Sequence, residues 1–444
     1  MLRTPESIRT LQRKLYCKAK QEPACRFHAL YDKIYREDIL SHAYDLVRAN
    51  KGSAGIDGVT FEDIEVKEGV TAFRAELAEA LKSKRYEPGP VKRVMIPKPD
   101  GSQRPLGIPT IRDRVAQMAV KLVIEPIFEA DFCDTSYGFR PGRSAHDAVD
   151  DVAKALNYGY TRVIDADLSK YFDTIPHAKL MIMIAERICD GAMLHLIQMW
   201  LKAPIVEMDK DGTKRNIGGG KGNRKGTPQG GVISPLLSNL YLHLLDRIWE
   251  RRNLPQQIGA RIVRYADDIV VLCRRSTDPA MDVLRHVLER MGLQLNESKT
   301  RVVDAYQEMF TFLGFEFRMG KSRRTGKYFA CVQPSKKSLK KIKDRITELT
   351  DRTRTIIPLG MLINEVNIMT CGWVGYFHKR NCSKALCGVR WHLEERVRTH
   401  LRKRHKVRDR ETGYVRFTNR SLYETYGLYK VPTTAGWTRA HAVR

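Results

Sequence analysis

The sequence lacks any C-x-x-C pair, and its nine cysteines are an odd number spread over 444 residues. Small secreted domains that depend on disulfides usually carry an even, closely spaced set of cysteines. We therefore expect reduced cysteines, mostly in the core, of a protein that resides in the cytoplasm. Cys371, Cys382 and Cys387 lie near His378, but their spacing matches no common zinc finger, so we predict no zinc site there.

The sequence also lacks a signal peptide, a long apolar run and any internal repeat. Hydrophobic residues make up 42% of the chain, which is ample for globular cores. A chain of this length is too long to fold around one core. We therefore expect two to four lobes in a protein that neither crosses a membrane nor is exported.

Acidic residues are scarce relative to basic ones. The 51 Asp and Glu face 78 Lys and Arg, which gives a formal net charge of +27. Residues 334–444 hold 25 of the basic residues and 9 of the acidic ones, an excess of +16 on a quarter of the chain. A charge this large repels itself unless a polyanion is close, and nucleic acid is the usual one. A generally basic protein without such a partner is the alternative.

Apolar periodicity and turn residues predict a mixed succession of helices and strands. No clear element is expected over 1–25. Strands are expected at 91–97 and 163–168, and a flexible Gly- and Lys-rich loop of unknown role at 209–226. The predicted helices span 27–50, 70–83, 112–130, 144–156, 177–202, 235–252, 278–291 and 336–350.

The stretch RIVRYADDIVVLC at 261–273 predicts two short strands joined by a tight turn at Ala266, Asp267 and Asp268. Adjacent carboxylates repel each other unless a cation sits between them, so a rigid turn of this kind suits hard divalent ions. An isolated Asp-Asp pair is more often a solvated turn. A Tyr-X-Asp-Asp turn between two β-rich strands, however, resembles the polymerase signature of reverse transcriptases.

A second acidic stretch, VIDADLSKYFDTI at 163–175, offers Asp165, Asp167 and Asp173. Asp165 and Asp167 alternate along the predicted strand and therefore point to the same side of it. In the family that the sequence resembles, the metal-binding Asp stands five residues before an aromatic. The resemblance thus implies Asp167 as the ligand that joins the two aspartates of the turn, with Asp165 as a nearby alternative.

The same spacing makes Phe172 resemble the aromatic that blocks a 2′-hydroxyl and selects deoxynucleotides. A core aromatic is the other interpretation of Phe172. The chemistry implied by the resemblance needs two divalent ions about 4 Å apart. We expect these to be Mg²⁺, with Mn²⁺ as a possible substitute.

Three further residues resemble nucleotide-binding positions of the family. Lys98 and Arg104 flank a predicted hairpin turn at 97–105, where both side chains could reach one triphosphate. Gln229, within KGTPQGGVISPLLSNLYL at 225–242, matches the residue beside the incoming nucleotide. The alternative interpretation is that Lys98 and Arg104 are simply two exposed residues of a turn. The neighbouring glycines at 218–222 form no G-x-x-x-x-G-K-[ST] phosphate loop.

Two more strings have counterparts in the family. LNESKT at 295–300 places Lys299 where the family has a lysine that protonates departing pyrophosphate, and a solvated lysine is the alternative. FTFLGFEF at 310–317 resembles the hairpin that grips the primer, with Leu313 and Gly314 at its turn.

Four long strings narrow the resemblance to the reverse transcriptase/maturases encoded by bacterial group II introns, over about residues 30–400. They are NKGSAGIDGVT at 50–60, IPKPDGSQRPLGIPTIRDR at 96–114, SYGFRPGRSAHDAV at 136–149 and GWVGYF at 372–377. The implied fold is an α+β right-hand polymerase, with fingers and an antiparallel palm sheet, followed by a mainly helical thumb or maturase (X) domain.

The implied division has five parts: a basic N-terminal segment, an N-terminal extension with the fingers, a palm with inserted fingers elements, the thumb or maturase (X) domain, and a basic C-terminal region. The last is a candidate DNA-binding remnant without the family's endonuclease. The bounds of the five parts are 1–26, 27–162, 163–330, 331–400 and 401–444. Charge and helical patterning make the last two the expected RNA-binding part. The residues expected to bind RNA are Lys336, Lys337, Lys340, Arg402, Lys403 and Arg404.

The implied function is RNA-directed DNA synthesis coupled to intron splicing and to mobility by target-primed reverse transcription. The implied partners are group II intron RNA, an RNA template with a DNA primer, target DNA and deoxynucleoside triphosphates. Two alternatives remain open from sequence: a domesticated relative used in defence or DNA repair, and an RNA-binding splicing factor whose polymerase is idle. The oligomeric state is also left open.

Overall fold

A computed structural model describes most of the chain. The described residues are 2–97, 101, 103–209, 211 and 213–436. Lys98, one of the expected nucleotide-binding residues, lies outside them. Within the described part of the chain, none of the helices combines the length and the apolar content that crossing a membrane requires.

Helices account for most of the regular structure. The helices are α1 Glu6–Gln21, α2 Tyr31–Ile34, α3 Glu37–Ala49, α4 Phe61–Asp63, α5 Val70–Lys82, α6 Ile111–Glu129, α7 Ala145–Asn157, α8 Tyr171–Thr174, α9 His177–Ala185, α10 Gly191–Leu201, α11 Ser234–Arg251, α12 Leu254–Gln257, α13 Asp278–Met291, α14 Lys336–Leu349, α15 Leu359–Phe377, α16 Ser383–Arg404, α17 Arg410–Arg416 and α18 Asn419–Glu424. A π-helical turn spans Ile64–Glu68 and a 3-10 turn spans Arg352–Ile356.

The strands form three sheets. The strands are β1 Val91–Pro97, β2 Gln103–Ile108, β3 Arg162–Ala166, β4 Ile205–Met208, β5 Lys214–Gly218, β6 Ala260–Tyr265, β7 Asp268–Cys273, β8 Arg301–Asp304, β9 Phe310–Phe312, β10 Phe315–Lys321 and β11 Tyr328–Pro334. The orders are β2-β1-β4-β5, β6-β7-β3-β8 and β11-β10-β9. We call the second the central sheet, and all of its strand pairs are antiparallel.

The central sheet is buried on both faces, which explains the nearly continuous apolar runs of β3 and β7. Ile164 and Val271 face a large core shared with the N-terminal helices. Val163 and Val270 face a second core that includes α7 and the β9–β11 sheet. Alternation along each strand thus divides the side chains between two cores, and the ends of β3, β6 and β7 are held firmly.

The prediction that residues 1–25 form no element was wrong, because α1 packs along α6. Ile8, Leu15 and Ala19 are buried on one helical face. Gln12 Nε2 donates a hydrogen bond to the carbonyl of Leu122, and Lys20 Nζ donates one to the carbonyl of Ala130. The many basic residues between the apolar positions hide this stripe when composition is averaged over the segment.

The predicted helix at 177–202 is two helices, α9 and α10. The side chain of Asp190 accepts hydrogen bonds from the backbone N–H groups of Ala192 and Met193 and starts α10 as its N-cap. Its second oxygen accepts from the N–H groups of Leu30 and Tyr31. The break therefore ties α10 to the beginning of α2.

The expected flexible loop at 209–226 is partly a strand. β5 pairs with β4 in an antiparallel hairpin, and β4 pairs in parallel with β1. The polar sequence KRNIG hides β5, because an edge strand exposed to solvent needs little apolar patterning. The predicted helix at 27–50 is likewise interrupted, as α2 and α3.

The helices after β11 enclose a third core, which extends beyond residue 400. Phe417, Leu422 and Val431 are buried in it with residues of α14, α15 and α16. The predicted divisions at 330–331 and 400–401 fall inside β11 and α16. Residues 401–436 therefore pack as part of the helical region and not as a separate tail. The other divisions stay predictions.

Candidate active site

The turn between β6 and β7 is a two-residue hairpin. Tyr265 pairs with Asp268 across it, which leaves Ala266 and Asp267 at the tip. Ala266 has a φ of +56°, a left-handed conformation that costs energy for any residue with a Cβ. Nη1 of Arg264 donates a 3.0 Å hydrogen bond to the carbonyl oxygen of Ala266 and so helps to hold the turn in place.

Pairing of β3 with β7 brings the second acidic stretch to this turn. Asp165 pairs with Val270, and Asp167 follows directly after the end of β3. Burial, together with the neighbouring carboxylates of Asp267, Asp165 and Asp167, raises the pKa of Asp268 to about 6. The four aspartates therefore lie within electrostatic range of one another.

The other carboxylates show the same crowding. Burial raises the pKa of Asp165 to about 6, with Arg301 opposing the rise and Asp167 adding to it. Burial also raises the pKa of Asp267, and the guanidinium of Arg104 opposes this rise. Mutual repulsion of this kind is relieved by a cation, and a set of carboxylate oxygens is the donor set that hard divalent ions prefer.

The carboxylates are grouped but do not converge. Among the described residues, no three His, Cys, Asp or Glu side chains are arranged closely enough to hold a metal ion. Lys299 Nζ instead lies 3.8 Å from Oδ2 of Asp167. The donor chemistry thus fits a divalent ion, while in this conformation Asp167 has an ammonium group as its neighbour.

Two of the expected nucleotide-binding residues meet across a wide sequence separation. Nε of Arg104, on β2, donates a 2.9 Å hydrogen bond to Oε1 of Gln229. The backbone N–H of Gly107 donates a 2.6 Å hydrogen bond to the carbonyl oxygen of Gln229. Gly230, in the next position, has a φ of +117°, and a Cβ there would collide with the carbonyl oxygen of Gly107. The glycine therefore allows the loop to approach β2 closely.

Phe172 lies under the same loop. Its carbonyl oxygen accepts a 2.7 Å hydrogen bond from the N–H of Thr227, two residues before Gln229. Its side chain is only 8% exposed and belongs to the large core. A cavity of about 360 Å³ opens beside it, lined by Arg93, Lys170, Asp173 and Gln229 among others. This position fits either interpretation of Phe172, so its role in sugar selection stays a prediction.

The expected primer grip is a tight turn bound to the helical region. Leu313 and Gly314 have φ values of +50° and +80° and join β9 to β10. The hydroxyl of Tyr376, on α15, donates a 3.0 Å hydrogen bond to the carbonyl of Leu313. The N–H of Ser335 donates a 2.9 Å bond to the carbonyl of Gly314. The turn therefore has a fixed position relative to α15.

The residues expected to bind RNA fall into two groups. Lys336, Lys337 and Lys340 are all exposed on α14, and Lys403 is exposed near the end of α16. The two arginines, in contrast, are half-buried and donate hydrogen bonds to backbone carbonyls. Nη2 of Arg402 donates a 2.7 Å bond to the carbonyl of Arg408. Nη1 of Arg404 bonds the carbonyls of Thr355 and Ile357 at 3.0 and 2.7 Å. These bonds leave fewer guanidinium donors for RNA at Arg402 and Arg404, and RNA binding by all six residues stays a prediction.

One constellation was missed by the sequence analysis. Arg264 and Asp246 form an ion pair at 2.6 Å with both side chains fully buried. Arg264 also donates hydrogen bonds to Oδ1 of Asn239 and Oγ of Ser136, at 2.9 and 2.7 Å. The available signal was a basic residue inside an apolar strand and an Asp inside the apolar helix SPLLSNLYLHLLDRIWER. A buried charge requires a partner of this kind.

Comparison with known proteins agrees with this geometry. Residues 96–317 match the family described as reverse transcriptase (RNA-dependent DNA polymerase), and residues 339–416 match the group II intron maturase-specific domain. The chain belongs to the group II intron type of reverse transcriptase. The α+β class, the antiparallel palm formed by the central sheet, and the helical maturase region are confirmed as predicted. The chain is therefore an RNA-directed DNA polymerase by class, and enzymes of this class depend in general on divalent metal.

Three relatives are similar to this chain over more than two thirds of its length. Protein YkfC of Escherichia coli (strain K12) is 34% identical over 353 residues, which are 71% of this reverse transcriptase and 90% of YkfC. Group II intron-encoded protein LtrA of Lactococcus lactis subsp. cremoris is 29% identical over 74% of this chain and 63% of LtrA. An uncharacterized 91 kDa protein in the cob intron of Schizosaccharomyces pombe is 26% identical over 78% of this chain, but over only 50% of that protein.

A solved structure titled partial Cas6-RT-Cas1–Cas2 complex also matches. It covers 59% of this chain and 40% of the other at 22% identity, with a TM-score of 0.35. A superposition this poor carries no weight for function. Among the relatives described above, the chain spans nearly all of YkfC, but only about half to two thirds of the two intron proteins.

Proposed function

We propose that this reverse transcriptase extends a DNA primer on an RNA template with deoxynucleoside triphosphates. We further propose that its helical region binds group II intron RNA, so that one chain assists splicing and inserts the intron into target DNA by target-primed reverse transcription. The observation that carries the polymerase proposal is the β3–β7 pairing. It brings Asp167 to the Asp267–Asp268 turn, whose two carboxylates lie within electrostatic range of Arg104, the hydrogen-bond partner of Gln229.

Each side chain then has a defined task. Asp167, Asp267 and Asp268 would hold two Mg²⁺ ions, or Mn²⁺ in their place, which would activate the primer 3′-hydroxyl and hold the triphosphate. Arg104 keeps guanidinium N–H groups beyond the one given to Gln229, and these can bind phosphate oxygens. Lys299, whose Nζ lies 3.8 Å from Oδ2 of Asp167, would donate a proton to the leaving pyrophosphate.

Phe172 and the 313–314 turn act on the two other reactants. Phe172, fixed through its carbonyl to Thr227, limits the space beside the sugar of the nucleotide that Gln229 contacts. The turn at Leu313 and Gly314 holds the primer end against the palm, because its carbonyls are anchored to Tyr376 and Ser335. Lys98 remains a proposed triphosphate contact. The cytoplasmic location expected from the sequence also stays a prediction.

The intron half of the proposal is supported by the match of residues 339–416 and by the exposed lysines of α14. Two assays test the halves separately. Primer extension on an RNA template, with divalent metal and after its removal by a chelator, tests the polymerase. Splicing of a group II intron RNA in the presence of the protein tests the maturase. Extension without any effect on splicing would favour a domesticated enzyme of defence or repair, and splicing without extension would favour a splicing factor with an idle polymerase.

A further inference from the structure

Phe139 is an exposed aromatic residue beside the catalytic turn. Its side chain is 54% exposed, and its ring centroid lies 6.5 Å from that of Tyr265, with 41° between the ring planes. We propose that Phe139 is a nucleic-acid contact, whose ring packs on the base pair at the end of the template–primer duplex. This inference rests on the proposed polymerase function and adds a positioning residue to it.

The segment that carries Phe139 is held rigidly against the turn between β6 and β7. The N–H of Tyr137 donates a 2.9 Å bond to the carbonyl of Arg264, and the N–H of Arg264 donates a 2.8 Å bond to the carbonyl of Thr135. A Cβ on Gly138 would collide with the backbone nitrogen of Ala266. The segment therefore lies directly against β6 and the tip of the hairpin, and Phe139 has a fixed distance from Asp267.

Both neighbours of Phe139 are buried and bonded. Nδ2 of Asn239 donates a 2.6 Å bond to the carbonyl of Gly138. The guanidinium of Arg140 is paired with Glu129 at 2.7 Å, and its Nη1 bonds the carbonyl of Ser136 at 2.6 Å. Only the Phe139 side chain projects from this frame. The protein thus presents one apolar ring to solvent on rigid backbone.

The backbone of Phe139 is also strained. Its φ is +56°, a region that bulky residues rarely adopt and that persists only where the surrounding structure imposes it. Glycine or asparagine would satisfy this conformation at lower cost. A phenylalanine that is both strained and exposed contributes little to folding, which indicates that the ring serves a contact outside the chain.

The negative charge around the site favours a nucleic-acid base, and not a phosphate, as the partner of the Phe139 ring. Asp267 and Asp268 repel phosphates that come close without metal, whereas an apolar ring offers a neutral surface to a base face. Stacking on an aromatic is tolerant of sequence, as a polymerase that copies any template requires. Tyr265 is only half-buried beside Phe139, so the two rings together provide an aromatic surface next to the carboxylates.

The test replaces the ring without disturbing the backbone. Phe139→Asn removes the aromatic, and Asn accepts a positive φ, so we expect the melting temperature to stay unchanged or to rise. We expect the Kd for an RNA template–DNA primer duplex, measured by fluorescence anisotropy, to rise at least fivefold. Phe139→Trp should restore binding to near the wild-type value. Tyr158→Asn is the matched control, because Tyr158 is a 63% exposed aromatic that is not in the catalytic turn.

The outcomes separate this inference from the proposed function. An unchanged Kd in Phe139→Asn, equal to that of Tyr158→Asn, would overturn the role of Phe139. Weaker binding together with a lowered melting temperature and no rescue by Trp would make Phe139 a structural residue and also overturn it. A wild-type protein that extends no primer would overturn the polymerase proposal, and the Kd comparison would still decide the role of Phe139.

Discussion

Nε of Arg104 donates a 2.9 Å hydrogen bond to Oε1 of Gln229, although 125 residues separate them in sequence. One residue lies on the β1–β2 hairpin and the other in the loop before α11. Their contact joins two motifs that the sequence analysis assigned independently to the nucleotide. A guanidinium can keep this bond and still offer a second pair of donors to a phosphate.

Replacement of Arg104 should therefore weaken nucleotide binding even when the positive charge is kept. Arg104→Lys keeps the charge but cannot bond Gln229 and grip a phosphate bidentately at once. We expect KM for dNTP to rise about tenfold or more in steady-state primer extension, on the scale of removing one charged hydrogen bond. Arg285→Lys, in an exposed surface ion pair with Glu297, is the control and should leave KM unchanged. An unchanged KM in Arg104→Lys would remove this residue from the nucleotide site.

Phe172→Ala should relax discrimination against ribonucleotides if Phe172 lies beneath the sugar. Because Phe172 is buried, we also expect a loss of about 3–5 kcal/mol in stability. The measurement is the ratio of incorporation efficiencies for dNTP and rNTP, at a temperature where the variant is folded. An active variant with an unchanged ratio would establish Phe172 as a core aromatic only.

The lysines of α14 should contribute to RNA affinity through charge. Replacing Lys336, Lys337 and Lys340 with Gln should weaken binding of structured RNA and flatten the dependence of log K on log salt, by somewhat less than one for each phosphate that the variant no longer binds. The wild-type affinity should fall by ~10³-fold or more between 50 and 200 mM salt if six or more phosphates are bound. A filter-binding salt series on an intron RNA and on an unrelated RNA of equal length measures the affinity and the salt slope of each protein.

Arg404→Gln should behave differently in the same assay. Its guanidinium holds the carbonyls of Thr355 and Ile357, so its loss should lower the melting temperature and leave the salt slope unchanged. A variant with wild-type stability and a reduced slope would show that Arg404 contacts RNA directly.

Buried His243 should make stability fall in mild acid. Burial lowers the pKa of His243 to about 4, against about 6.5 in an unfolded chain. The unfolded state therefore takes up the proton first, so this contribution to stability is complete above pH 6.5 and is lost as the pH falls towards 4. The expected loss is about 3 kcal/mol. Urea unfolding at pH 7 and pH 4.5 should show a smaller decrease in His243→Gln than in wild type, and an equal decrease would contradict the account.

Much of this fold could be predicted because the pattern that specifies each element lies within a few consecutive residues. The apolar strands around Asp267 and Asp268, the strand at 163–168 and the helix at 278–291 each show their period within a few residues. The resemblance then supplied the pairing that brings Asp167 to the turn. Helix α1 was missed because its apolar stripe is diluted by basic residues.

Partners distant in sequence could not be predicted in this way. An arginine inside an apolar strand indicates a buried charge, but nothing near Arg264 in the sequence identifies Asp246 or Ser136 as its partners. For the same reason, the basic run at 402–404 showed the charge of Arg404 but not the carbonyls that it binds.

The most direct test of the central claim is RNA-templated primer extension with Mg²⁺ by Asp267→Asn. Asp282, which is exposed on α13, provides the matched control variant Asp282→Asn. The account predicts that Asp267→Asn abolishes DNA synthesis while it keeps the wild-type melting temperature and RNA affinity, and that Asp282→Asn remains active. Extension by Asp267→Asn at a rate near that of wild type would contradict the assignment of the catalytic turn.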